Sequence, residues 1–283
     1  MMQEKKPTIA EANRAYFQAL ANTRGSIAML PALAGPTIVV LFAANVGPLN
    51  APSAFEGYGV LSSLSAINVV LIWTSAICLL LSVLLKGVSY RAQVLSSMVM
   101  AGMAVILVYC LCLLALAIAT LSQARGEQFY ATLFSTVGII TVVIVAGSTS
   151  VHVLLLRRRL RIGHSEKRTM GNFLAVSRSN RSTMFWIAFG LVAVVSNVVT
   201  SGQYLVNTAG ALGLLLFACV IPSLPVEFAY LAYLKSKDRD YWERPPRPVA
   251  KEVRLRLARK IILWVVGIAG ALALFWVLAK YVL

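Results

Sequence analysis

Seven stretches of the chain are long, apolar and almost free of charge: 26–46, 60–85, 94–121, 131–156, 183–201, 210–234 and 261–280. Each reaches the roughly 18–20 residues that a helix needs to cross the hydrocarbon core of a bilayer. None shows the strict polar–apolar alternation of a barrel strand, and all are too long for one. In lipid every backbone amide and carbonyl must be satisfied within its own segment, which leaves the α-helix. The pattern therefore predicts an all-α, polytopic membrane protein with seven transmembrane helices. A single membrane domain fills 26–283, behind an N-terminal segment at 1–25.

Composition agrees. The chain is 59% hydrophobic and 13% charged, whereas soluble domains are about a quarter charged. The charge that remains is unevenly placed. Of 26 basic residues, 24 fall in the N-terminal segment, in the loop after the second run, or in the long loops 157–182 and 235–260. Arg125 and Lys280 alone lie on the other side. Basic residues resist translocation, so the rich side is cytoplasmic, with the N-terminus inside and the C-terminus outside. The regular alternation supports the number seven as well as the direction. An excess of Arg over Lys, with spans rich in Ala, Val and Leu, fits a bacterial inner membrane. The first run is longer than a signal-peptide core and reads as a retained span, the alternative being cleavage near Ala43–Ala44. The Asn180-Arg181-Ser182 glycosylation triplet falls on the cytoplasmic side, where it is unused.

Two cytoplasmic segments have structure of their own. Thr8-Ile9-Ala10-Glu11 is a capping box. It opens a helix with Ile9, Tyr16, Phe17 and Leu20 on one face, suited to lying on the inner leaflet; a solvated tail is the alternative. Tyr241 and Trp242 suit the headgroup layer. After the prolines at 245, 246 and 248, a basic helix carries Val249, Val253 and Leu257 and leads into the last span.

Ionisable groups inside spans are costly and often functional. Glu227 is the only acidic residue in any apolar run, and His152 the only histidine. Just before Glu227 stand Pro222 and Pro225, which remove two helical donors and free nearby carbonyls for an ion, water or a side chain. Ser223, Glu227 and Tyr230 would line one face of this broken helix. Two readings stay open: a substrate or proton-relay site, or a kinked helix whose Glu227 snorkels or pairs with Arg157–Arg159 at the inner surface. Thr141, Ser148 and His152 share a face of the fourth span, and are expected to meet Glu227 in a cavity open to the inside. His152 alternatively sits at the membrane interface. Asn45, Asn68 and Asn197 read as amides bonding across helices. Pro31, Gly35 and Pro36 suggest a second broken helix, in the first span.

Arg157, Arg158, Arg159 and Arg161 form the densest basic cluster, expected to contact anionic lipid headgroups. The loop lacks the stacking aromatics of a nucleic-acid surface. Cys78, Cys110, Cys112 and Cys219 fall within apolar runs and form no ligand motif, so no metal or cofactor is expected. Catalytic signatures such as H-E-x-x-H, G-x-S-x-G and the phosphate-binding loop are absent. The sequence supports a carrier or permease-like component for a small or lipidic solute. The alternatives are a non-catalytic subunit or scaffold docking a cytoplasmic protein through its basic loops and, more weakly, a lipid-modifying enzyme.

Overall fold

A computed structural model of the chain describes residues 7–46, 59–121, 127–170 and 204–244, together with Gly270. The expected spans at 183–201 and, but for Gly270, at 261–280 lie outside these residues, as do Asn197 and the basic helix after residue 248. Everything below belongs to the compact unit that ends at Glu243.

The described residues are mostly helical, with no strand among them. In chain order the helices are α1 (Ile9–Ala21), α2 (Leu30–Val46), α3 (Gly59–Leu84), α4 (Lys86–Arg91), α5 (Gln93–Leu121), α6 (Glu127–Ile162), α7 (Tyr204–Val220) and α8 (Ser223–Lys237). Short 3-10 turns lie at Ile27–Met29 and Arg239–Tyr241, and residues 166–170 are helical. Among the described residues, four segments are long and apolar enough to cross a membrane: Ser63–Leu84, Gln93–Leu116, Ser135–Ile162 and Gly210–Lys237. Ile27–Phe42 is a shorter apolar helix.

Burial separates an inner helix from outer ones. In the most apolar part of α5, 44% of residues are buried, against 17% in α3 and 11% in α6. Accordingly α5 packs on α2, α6, α7 and α8. The outer helices turn Trp73, Ile77 and Leu80 of α3, and Ile139, Val142 and Val143 of α6, away from the protein. A continuous apolar exterior of this kind is unfavourable in water and suits lipid. Amides join the helices across this apolar interior. Ser65 on α3 donates to Asn45 on α2, and Tyr109 on α5 donates to Asn68 on α3.

The expected break in the first span is absent: α2 runs unbroken through Pro36. Pro31 stands in the first turn, where its missing amide has no partner to lose. Pro36 costs the ladder one bond without ending it.

The capping box at Thr8–Glu11 is formed in both directions, so α1 starts where the sequence places it. Its apolar face packs on the protein's own interior. Tyr16, Phe17, Leu20 and Ala21 join one core with Leu30, Met100, Met103, Leu156, Phe228 and Leu231, while Ile9 stays exposed. Gly25 makes this possible. A Cβ there would lie 2.9 Å from the Leu20 carbonyl oxygen and 3.0 Å from Leu231, so only glycine lets the chain turn from α1 into α2 against α8.

Candidate functional site

The α7–α8 pair breaks where the prolines predict. The Ile221 amide still reaches Phe217, but the next bond, from Leu224, spans only three residues back to Ile221. Pro222 has no amide to offer, and Pro225 sits in the first turn of α8, where none is needed. The Cys219 carbonyl is taken over by another helix. It accepts from Ser148 Oγ at 2.5 Å and from His152 Nε2 at 3.0 Å. A carbonyl can only accept, so His152 carries its proton on Nε2. The α6 face thus meets the broken helix through backbone, with Thr141 buried two turns earlier. Ser223, the first residue of α8, is half-buried beside the break.

Glu227 lies elsewhere. It is 2% exposed and bound by Arg24 Nη2 at 2.6 Å, Arg168 Nη2 at 2.7 Å and the Tyr16 hydroxyl at 3.0 Å. Its arginine partners are therefore Arg24 and Arg168, contributed by the segments after α1 and after α6. The Tyr16 hydroxyl donates to Glu227 and accepts from Arg24 and, at 3.3 Å, from the Nε of Arg168. Burial first, and the Glu227 carboxylate second, raise the Tyr16 pKa above its ordinary value, which keeps the proton on the donor. Tyr230 packs its ring on Phe17, centroids 5.0 Å apart. Glu227 and His152 have separate partner sets on either side of the break.

A second layer supports the first. Gly163 has φ +94°, a left-handed conformation that closes α6 through its amide to the Arg159 carbonyl. The chain then turns His164 onto α1. The imidazole stacks on Tyr16 at 3.9 Å, and Nδ1 donates to the Asn13 side-chain oxygen at 2.7 Å. Asn13 in turn donates to the Leu160 carbonyl. Burial, then the charges of Arg168 and Arg159, push the His164 pKa down to about 4. Between pH 6.5 and 4 the unfolded chain takes up a proton that the folded chain refuses, so stability falls as pH drops through that window and is unaffected by this group above it. Thermal midpoints in mild detergent are expected to show a loss of roughly 2–3 kcal/mol by pH 4, with a shallower slope in His164→Gln.

Below α1 a third cluster closes the same end. Lys235 and Glu243, 2% and 6% exposed, form an ion pair at 3.0 Å. Glu243 accepts in addition from Ser26 Oγ at 2.7 Å and from the Ile27 amide. The Gln93 side chain pairs with the Glu243 backbone in both directions, at 2.7 and 2.8 Å. Trp242 donates its indole N–H to the Lys235 carbonyl, which caps α8. The N-terminal segment and the start of α5 are thereby tied to the segments that follow α6 and α8, so the described basic segments meet at one end of the bundle.

Of the expected headgroup contacts, Arg157, Arg158 and Arg161 are exposed. Arg159 is half-buried and within electrostatic reach of Arg168, Glu227, Tyr16 and Arg24. The sequence reading did not find Tyr16, Arg24, Arg168, His164 or the Lys235–Glu243 pair. Their partners lie up to 217 residues away, and no local spacing marks them. The one available signal was the capping box, which fixed where α1 begins and which face Tyr16 and Phe17 share.

Among the described residues, four helical segments long and apolar enough to cross a membrane, with clusters of buried charge at one end, mark a helical protein suited to a membrane. Comparison with protein-family models, curated proteins and solved structures finds no match for the chain.

Proposed function

We propose that this protein is a carrier or permease-like component that moves a small or lipidic solute across a bacterial inner membrane, with seven spans and the N-terminus in the cytoplasm. The observation that carries the reading is the break between α7 and α8. It falls near the middle of the apolar segment Gly210–Lys237, where a continuous helix would keep its carbonyls to itself. There the Cys219 carbonyl, Ser148 and His152 form a hydrogen-bonding group that a polar solute can enter by exchanging partners. The Tyr16–Arg24–Arg168–Glu227 cluster closes the basic end beneath it, and the positive-inside distribution gives that end to the cytoplasm.

Purification in mild detergent, followed by identification of what remains bound, tests this. The carrier reading expects a small molecule or lipid, retained by wild type and lost from Ser148→Ala and His152→Ala at matched expression. Retention unchanged in both variants would sink it. A stoichiometric protein partner in place of a solute supports a scaffold, a reading favoured by the exposed Arg157, Arg158 and Arg161 at the same end. A cysteine-accessibility scan reporting positions 167 and 247 from outside the cell would overturn the orientation.

A further inference from the structure

The two ion clusters at the basic end differ in their charge balance. Lys235 and Glu243 match one to one. Around Tyr16, Arg24 and Arg168 bind a single carboxylate, Glu227, and a third guanidinium, Arg159, lies within electrostatic reach. Arginine does not shed its proton in proteins, so among the described residues three positive charges face one negative charge. The nearest acidic residue along the chain, Glu166, is exposed on the surface. Unmatched charges of one sign in a partly buried setting repel one another, and an anion relieves that repulsion.

A second observation points the same way. Arg24 Nε is buried and has no hydrogen-bond partner among the described residues, so a charged donor is held out of water without an acceptor there. In the same cluster His164, 6% exposed, has Nε2 equally unpartnered. Its Nδ1 proton goes to Asn13, so Nε2 is left as an acceptor, which a P–OH proton of inorganic phosphate can fill and a phosphodiester headgroup, having none, cannot. The cluster is reachable from outside, because the Arg24 and Arg168 side chains are 31% and 30% exposed.

We propose that Arg24, Arg159 and Arg168 form a binding site for a phosphate group at the basic end of the bundle. Phosphate offers several acceptor oxygens to forked guanidinium donors and carries the charge that the cluster lacks. The group can come from an anionic lipid headgroup or from free phosphate. The site is independent of the carrier reading, since it rests on the charge balance and on the unpaired Arg24 donor.

Purified wild type is compared with Arg159→Gln, which leaves the Arg24 and Arg168 contacts to Glu227 in place. Arg157→Gln is the control, being an exposed arginine on the same helix. In one arm, delipidated protein is titrated with phosphatidylglycerol or phosphatidylcholine and bound lipid is counted by native mass spectrometry. In the other, the thermal midpoint is followed with inorganic phosphate against chloride at equal ionic strength. Wild type and Arg157→Gln are expected to bind the probe about fivefold more tightly than Arg159→Gln, the effect of one arginine–phosphate contact. If the difference shows with phosphatidylglycerol, the source is lipid; if with inorganic phosphate alone, it is soluble. Should Arg159→Gln not fold, Arg159→Lys, which keeps the charge and loses the fork, is read in its place. Equal binding of both probes by wild type and the Arg159 variant, or equal loss in Arg157→Gln, overturns the proposal.

Discussion

Replacing Glu243 by glutamine is expected to destabilise the protein by about 3–5 kcal/mol, the cost of leaving a buried charge without its partner. The Lys235 side chain is wholly buried, and among the described residues its ammonium group donates to Glu243 alone. With the carboxylate gone it has no counter-charge and no water. The reverse substitution is milder. In Lys235→Met the carboxylate keeps the Ser26 hydroxyl and the Ile27 amide, so the loss is about 1.5–3 kcal/mol, the range for one hydrogen bond to a charged group. Lys235→Met combined with Glu243→Gln is expected to recover much of the deficit, because neither charge is then stranded. Equilibrium unfolding in mild detergent reads all three variants. A larger cost for Lys235→Met than for Glu243→Gln would show that the ammonium finds solvent and that the pairing does not hold this end together.

The second large effect is expected at Glu227. Glu227→Gln leaves Arg24 and Arg168 facing each other across the Tyr16 hydroxyl. The cost falls to about 2–4 kcal/mol, below that of a fully buried pair, because each guanidinium is nearly a third exposed and can turn outward. The damage should be local. Glu227 is where α1 and the segment after α6 are pinned to α8, so the variant should release α1 before it unfolds the bundle. Limited trypsin digestion at Arg14 and Arg24 is expected to accelerate well before the global midpoint moves. Arg168→Gln in the Glu227→Gln background should slow it again by removing one of the repelling charges. Uniform protection of α1 in Glu227→Gln would contradict the pinning.

How much of this was legible in the sequence follows from the range of the forces involved. Apolar runs are local, so the second, third, fourth and sixth spans could be read directly, as could the capping box of α1. The break at Pro222 was legible because proline acts on its own carbonyl neighbours. The Pro36 expectation failed for the complementary reason: one missing bond inside a well-packed helix does not end it. The partners of Glu227 were not legible. Charge bias correctly suggested that a glutamate near a basic end would find arginines, and the dense run at 157–161 was the natural choice. The geometry instead selects Arg24 and Arg168, because Gly25 and Gly163 each turn the chain back over the bundle end. A turn of that kind has no period to detect, and the residues it brings together are far apart in the chain.

The closure of the basic end has a consequence for how the protein is made. Arg24 and Glu227 are 203 residues apart, and Ser26 waits still longer for Glu243. At about 5–20 residues per second of synthesis, roughly 10–40 seconds pass between the emergence of α1 and that of the helix that buries it. During that interval Tyr16, Phe17 and Leu20 lack the α8 side of their core, Phe228 and Leu231. The amphipathic face that ends up inside the protein must rest somewhere first, and the surface of the membrane is the adjacent apolar phase that can hold it. The N-terminal helix would then begin as a lipid-bound segment and be lifted into place as the last of the charged loops is completed, so that assembly of this end runs from the surface inward.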